Sequence, residues 1–482
     1  MLEHLEPKVV FSYFEKICSI PHGSGNVQNI SNYLVEFAKE RNLEYIQDEV
    51  YNVIIKKPGT KGYEAKEPVI IQGHMDMVAV KKPECTKDML TESLDVKTEG
   101  DFVYAEGTSL GGDDGIAVAY ALALLDSKDI PHPPLEVVIT VDEEVGMDGA
   151  LFIDLSPLKG KKLLNIDSEK EGELTVSCAG GMRINGSLPV QWESITENMQ
   201  GKQVTLTGLL GGHSGVEIHK NRGNANVLVG YVLQELSKKV NIKILSLEGG
   251  TKDNAIPREA KATILLTEND VSYYEESIKE IEKAIQEKFK ETDKGVRIVS
   301  KDVSVKPERK ALSQVSASNI IKLLNTVPNG VQAMSRQLEG LVETSLNLGI
   351  IVLKEEEFSA TFSLRSSVVS EKEKLRDKVA GILDSLGGSY VFSGDYPAWE
   401  YKEDSKLRDT FVEVYEKMYG KKPVVLSIHA GLECGILADK IEDLDSVSFG
   451  PDMEDIHTTE EKLSISSTKR VWEFLLELLK SL

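Results

Sequence analysis

Between about residue 8 and residue 182 the chain alternates two textures, and one of them keeps stopping in the same way. Runs with helical spacing of apolar residues, "KVVFSYFEKICSI" and "NVQNISNYLVEFAKERN", alternate with short, strongly apolar runs, "VIIQGHMD", "LEVVITVDEEVG" and "KLLNIDSE", that end in polar residues. "DDGIAVAYALALLDSK" reads as an Ala- and Leu-rich helix lying between them. Strands separated by helices predict an α/β domain with a mostly parallel sheet and helices on both faces. In such sheets ligands gather at the carboxyl ends of the strands.

At 482 residues the chain is too long for one ordinary core, so at least two domains are expected. It has 78 acidic against 56 basic side chains, a net charge of -22, which argues against nucleic acid or an anionic membrane as partner, since both rely on Lys/Arg clusters. No run approaches the roughly 18 apolar residues of a membrane span. Glu3 and Glu6 stand where a signal peptide would be positive. The four cysteines, Cys18, Cys85, Cys178 and Cys434, lack CxxC spacing, so neither a disulfide framework nor a thiolate zinc site is indicated, and a cytoplasmic location is expected.

After Gly180-Gly181 the texture changes, and the next two hundred residues run through one order of elements twice. The first pass is "KQVTLTGLL", a helix over 224–239, "NIKILSLEGG", "EAKATILL" and the charged helix "SYYEESIKEIEKAIQEKF", read as a solvated amphipathic face. The second is "VRIVSKDVSVK", "ASNIIKLLNTV", "GLVETSLNLGIIVL", "EFSATFSLRSS" and "EKEKLRDKVAGILDSLG". This predicts an inserted α+β domain over 184–392, built of two tandem similar sandwich units at about 184–293 and 294–392. Residues 1–183 and 393–482 then form one discontinuous α/β domain.

His74 and Asp76 in "GHMD" flank Met75, so at an extended strand end they share a side. "GTSLGGDDGIAVAYA" sets Asp113 and Asp114 at a helix start, where carboxylates are ordinary caps. "VVITVDEEVG" leaves Asp142, Glu143 and Glu144 in a row, a repelling arrangement unless cations or solvent neutralise it. Asp167 in "LLNIDSEKEG" and His457 in "SVSFGPDMEDIHTTEE" follow two further strands. Singly, each is compatible with a solvated turn. Together they bring two imidazoles and several carboxylates to one sheet edge, a donor set suited to zinc, manganese or cobalt. That is more ligand than one ion needs, and a pair roughly 3.5 to 4 Å apart, bridged by a carboxylate and a water, accounts for the number.

These motifs resemble the di-zinc peptidase family of aminoacylases, glutamate-releasing carboxypeptidases and carnosine-type dipeptidases, and within it the bacterial aminoacyl-histidine dipeptidase branch. "EKICSIPHGSG", "GTSLGGDDGIAVAYALALL", "DSEKEGELTVSCAGG", "GLLGGHSGVEIHKNRGNAN" and "HAGLECGIL" carry the likeness, which spans nearly the whole chain. It implies a metal-dependent hydrolase of Xaa-His and other unblocked dipeptides in which two divalent ions, zinc or alternatively manganese or cobalt, activate a shared water. His74 would bind one ion and His457 the other, Asp113 would bridge them through a segment whose peptide bond to Asp114 is cis in the family, and Glu144 and Asp167 would complete the two spheres.

The resemblance makes Glu143 the general base and Asp76 the group that takes the second N–H of His74. His213 in the insert, acting on the same site or on a partner subunit's, would stabilise the oxyanion. Arg365, Asn254 and Gly431 would bind substrate. His219 and His429 sit near those loops, whereas His4, His22 and His132 read as terminal, packing or surface groups. Small peptides are the implied partners, of a monomer or homodimer. An N-acyl amino acid deacylase, a carboxypeptidase or a tripeptidase would share the metal motifs, but the duplicated insert favours a dipeptidase. A non-catalytic metal- or peptide-binding protein would lack Glu143 or a ligand, and none is missing.

Overall fold

Strands that are buried at every position explain the uninterrupted apolar runs, because a central strand whose sheet is covered on both faces has no solvent side. The computed structural model describes residues 2, 4–195, 199–305 and 309–482. The chain begins with helices α1 (Lys8–Cys18) and α2 (Gln28–Glu40), followed by the antiparallel pair β1 (Glu44–Gln47) and β2 (Val53–Lys57). The two fully buried strands, β3 (Val69–His74) and β4 (Leu135–Thr140), flank helix α3 (Gly112–Asp126) in the sequence. All of α3 from Gly112 to Leu125 is buried, so it is apolar around its whole circumference. Phe14 and Ile17 of α1 lie within 3.5 Å of where a Cβ on Gly115 would stand. Strands β5 (Lys162–Asn165) and β6 (Glu173–Cys178) complete this stretch.

Two compact units divide the chain. One is Met1–Cys178 with Tyr401–Ser427 and Leu432–Leu482; the other is Ala179–Glu400 with Ile428–Gly431. The second unit contains strands β7 (Gly180–Pro189), β8 (Met199–Thr207), β9 (Lys243–Gly249), β10 (Ala260–Thr267), β11 (Arg297–Val303), β12 (Val342–Leu353), β13 (Glu357–Ser366) and β14 (Ser389–Tyr396). Its helices are α4 (Ala225–Ser237), α5 (Val271–Lys288), α6 (Gln314–Thr326) and α7 (Val369–Ser385). The sheet order is β11-β8-β10-β9-β12-β13-β7-β14, with Gly330–Met334 alongside β12. Read inward from either edge, the order is the same: last strand, first, third, second. The duplication is therefore real in the topology, but the copies are nested and not tandem.

"VRIVSKDVSVK", expected to open the second copy, is β11 in its described part and closes the first by pairing with β8; Lys306 lies outside the described residues. Exposed Lys301 and Asp302 suit β11 to an edge, with one neighbour only. The strand that opens the second copy is β7, which lies before the first copy and pairs with β13 from Gly180↔Ser366 to Pro189↔Glu357. One hydrophobic core joins the copies, including Leu206, Val232, Ile264, Ile320, Leu348 and Phe362. Where α4 crosses α6, a Cβ on Gly230 would stand 2.4 Å from that of Leu324, so only glycine permits the approach.

The chain then adds α8 (Lys406–Tyr419), β15 (Val424–Ile428), α9 (Glu433–Lys440), β16 (Asp445–Ser448) and α10 (Ile465–Ser481). The first unit's sheet runs β1-β2-β4-β3-β5-β16-β6-β15, and its four central strands are mutually parallel. The first unit thus has the expected α/β class. Phe411 and Tyr415 of α8 pack edge-on to Phe474 of α10. The pairs His74↔Thr140, Gln72↔Asn165 and Asn165↔Ser448 show that these strands end nearly level. Loops leaving level parallel strands converge, which brings residues distant in sequence to one place. No helix among the described residues is long and apolar enough to cross a membrane.

Candidate metal centre

His74 is the last residue of β3, and Asp113 lies at the start of α3 in non-helical geometry with a cis peptide bond to Asp114. Glu143 and Glu144 open a single turn that begins three residues beyond the end of β4, entered through Asp142 at φ 53°. Asp142 Oδ1 accepts the Gly25 N–H at 2.6 Å, which holds that entry in place. Asp167 follows β5, and His457 stands in the loop beyond β16 at φ 62°.

All five expected ligands meet. His74 Nε2 lies 3.1 Å from Asp113 Oδ1 and 3.8 Å from Asp167 Oδ1. His457 Nε2 lies 3.0 Å from Asp113 Oδ2 and 3.0 Å from Glu144 Oε2. Asp113 therefore turns one oxygen to each histidine. Asp114, given no ligand role from sequence, also approaches His74 and Asp167. Its Oδ2 is committed to the His74 backbone N–H at 3.2 Å, and its Oδ1 is buried without a hydrogen-bond partner.

The charges are unbalanced. Asp113, Asp114, Glu143, Glu144 and Asp167 are five carboxylates facing two imidazoles, so full ionisation leaves an excess of at least three negative charges in a buried place. Burial, with Glu433, Glu144 and Asp113 nearby, pushes Glu143 up to about 8, against the pull of His74. Burial and Asp114 raise Asp167 well above the carboxylate range. Burial opposes a charge on His74, but hydrogen bonds to Asp113 and Asp76 with the charge of Asp167 outweigh it and raise it well above the ordinary value. Hydrogen bonds to Asp113 and Glu144 lift His457 to about 10. An oxygen- and imidazole-rich cluster short of positive charge, with Glu144 Oε1 buried and unpartnered, fits divalent cations.

Asp76 faces the site in two ways. His74 Nδ1 lies 2.9 Å from the Asp76 backbone carbonyl and 3.5 Å from its carboxylate. The carboxylate also accepts the N–H groups of Glu143 (3.1 Å) and Glu144 (3.4 Å) and the hydroxyl of Ser24 (2.8 Å). Among the described residues the Glu143 side chain has no hydrogen-bond or ion-pair partner, while Glu144 engages His457. Beneath the site, buried Glu433 of α9 accepts from Gln72 Nε2 at 2.5 Å and Thr140 Oγ1 at 2.6 Å, and Asn165 donates to Gln72 Oε1 at 2.6 Å. These side chains tie together the ends of β4, β3 and β5. Sequence reading missed Glu433, whose one signal was a carboxylate opening the apolar helix "ECGILADKI".

The remaining expected residues belong to the second unit. His213 pairs across a short ladder with Ala255, and its Nδ1 accepts the N–H groups of Gly215 (3.1 Å) and Val216 (3.3 Å). That fixes the tautomer with the proton on Nε2. Burial and Arg365 depress the His213 pKa. Asn254 accepts the Ser214 N–H through its carbonyl at 2.8 Å, next to His213. Arg365 Nη1 donates to the Tyr396 hydroxyl at 2.9 Å, its Nε is buried and unpartnered, and among the described residues no carboxylate pairs with it. Its cross-strand neighbour Ser345 bonds His429 Nε2 at 2.7 Å, and Gly431 lies two residues on. His22 and His132 are buried packing groups, each hydrogen-bonded to a nearby backbone carbonyl, and His219 is exposed.

The family model of Peptidase family M20/M25/M40 matches residues 70–481. The "Cytosol non-specific dipeptidase" of Escherichia coli strain K12 is 36% identical over 485 residues, covering 100% of this chain and 99% of that protein. The crystal structure of aminoacylhistidine dipeptidase from Vibrio alginolyticus superposes with a TM-score of 0.94 at 36% identity, covering 100% of this chain and 98% of that one. Aminopeptidase PepT from Bacillus cereus shares the fold alone, at 16% identity, a TM-score of 0.57 and 99% coverage of each chain. On the extent of these matches the chain belongs to peptidase family M20/M25/M40.

Proposed function

We propose that this protein is a metal-dependent dipeptidase of Xaa-His and other unblocked dipeptides, holding two divalent ions. The observation that carries the reading is Asp113, whose two oxygens face His74 and His457 separately, as a bridging carboxylate must. On it, His74 and Asp167 would hold one ion, and His457 and Glu144 the other. Bound there, divalent ions supply Lewis-acid polarisation of the scissile carbonyl and lower the pKa of water. Zinc is the ion the donor set favours, with manganese or cobalt as substitutes. The likeness to the E. coli cytosol non-specific dipeptidase and the Vibrio aminoacylhistidine dipeptidase supports the substrate class and, for the former, a cytosolic location.

Glu143 takes the proton of the attacking water and returns it to the departing amine, a role that suits a carboxylate with no hydrogen-bond or ion-pair partner among the described residues. Asp76 orients that carboxylate by holding its backbone. His213 offers a neutral Nε2–H to the developing oxyanion, since its Nδ1 is already occupied by backbone N–H groups. Arg365, which pairs with no carboxylate among the described residues, receives the C-terminal carboxylate of the dipeptide, helped by Asn254 and the Gly431 backbone.

The test is to strip the protein with chelator, restore zinc, manganese or cobalt, and assay carnosine, Gly-His, Gly-Gly, a tripeptide and an acetylated amino acid. Cleavage of the dipeptides is expected. No cleavage of any unblocked dipeptide with every metal would sink the reading.

A further inference from the structure

Four consecutive backbone N–H groups, from Leu110 to Asp113, converge on one buried side chain. Glu461 Oε2 accepts from Leu110 at 2.9 Å and Gly111 at 3.1 Å, and Oε1 from Gly112 at 2.8 Å and Asp113 at 3.4 Å. Glu461 is 4% exposed. Successive N–H groups aimed inward form a concavity that ordinarily binds a free anion. Here a carboxylate from the far end of the chain fills it. Two glycines shape the concavity: Gly111 adopts φ 68°, and a Cβ on Gly112 would stand 3.3 Å from Glu461 Oε1 and 3.2 Å from Met453 Sδ.

Glu461 lies four residues after His457, and its own N–H bonds back to Thr458 at 3.4 Å. Asp113 is therefore grasped twice by one short segment. His457 meets its carboxylate at 3.0 Å while Glu461 accepts its backbone N–H. This closed circuit limits rotation of the Asp113 side chain. The adjacent Glu460 has no part in it, being spent on an exposed ion pair with Lys82 at 2.6 Å.

We propose that Glu461 is a positioning residue for the metal centre, fixing the Leu110–Asp113 turn so that the two oxygens of Asp113 face two ions. The proposal rests on the two-metal reading above. Glu461→Gln keeps the size but turns an NH2 group toward two N–H donors, so the turn must shift and carry Asp113 with it.

The experiment titrates metal-free wild type and E461Q with Co2+ and Zn2+, following cobalt absorption and calorimetry, and measures kcat and KM as metal is raised. A 10- to 100-fold loss of metal affinity is expected, on the scale of groups that orient ligands. Activity should recover at high metal with KM near wild type, which a general loss of fold would not give. If E461Q does not fold, Gly112→Ala presses on the same contact and should weaken binding in the same direction. Wild-type affinity and stoichiometry in a folded E461Q, or in G112A where E461Q does not fold, overturn the proposal. A wild type that binds metal yet cleaves no dipeptide sinks the dipeptidase reading alone, and one that takes up no ion sinks both.

Discussion

The carboxylate of Asp76 accepts the backbone N–H of Glu143 at 3.1 Å, so the residue two positions beyond a candidate ligand holds the candidate base. Its other oxygen takes the Ser24 hydroxyl and the Glu144 N–H. Asp76→Asn replaces one of these acceptors with a donor and leaves a part-buried N–H unmatched, at a cost of about 1–3 kcal/mol. The expected result is a kcat reduced roughly 10- to 100-fold, the equivalent of that cost, with metal content unchanged. Equal loss of metal and rate, measured by elemental analysis beside kinetics, would return Asp76 to a role through His74.

Glu143 should be separable from metal binding, because its side chain pairs with no ligand. Glu143→Gln is expected to keep its metal and to lose about 10²- to 10⁴-fold in kcat, the range of a lost general base. A near-normal rate would remove Glu143 from the mechanism.

Arg365 predicts a substrate-dependent effect. Arg365→Gln should lower kcat/KM for a free dipeptide by about 10- to 100-fold, corresponding to the loss of a charge-assisted pair. The same substitution should change little for the corresponding dipeptide amide, which has no carboxylate to lose. Equal losses for both substrates would show that Arg365 serves the fold.

His429 should make stability depend on pH. Burial and the nearby charge of Arg365 press it down to about 3 in the folded protein, against an ordinary 6.5. Between those values the unfolded chain takes up a proton that the folded one refuses. Stability is therefore intact above pH 6.5 and falls as pH drops toward 3, by about 1.4 kcal/mol per unit where this group alone titrates. His429→Gln, which keeps a partner for Ser345, should remove that share of the slope. Parallel urea-unfolding curves for the two proteins between pH 7.5 and 5 would refute it.

The candidate ligands His74, Glu144, Asp167 and His457 could be picked out because each ends or follows a strand of the level parallel sheet, whereas Asp113 was legible only as a carboxylate opening a helix. Sequence reading left part of the action of Asp76 unread, because alternation along a strand gives the side of a side chain, not its partners; the carboxylate that faces His74 also holds the N–H groups of Glu143 and Glu144. Nothing local separates Glu460 from Glu461, although one is solvated and the other caps four amides. Nor does local pattern show that β7 pairs with a strand far along the chain, so two nested copies looked tandem.

That nesting sets an order of events during synthesis. The first copy, from β8 to β11, closes on itself over a short span of chain and can settle as soon as it emerges. β7 has no sheet neighbour until β13 is made, since Gly180 waits for Ser366. β5 finds β3 at once, but its other edge waits longer, because the pairing of Asn165 with Ser448 needs nearly the whole polypeptide. The loop bearing His457 follows β16, so the last stretch of chain to emerge both closes the first unit's sheet and completes the cluster of ligands.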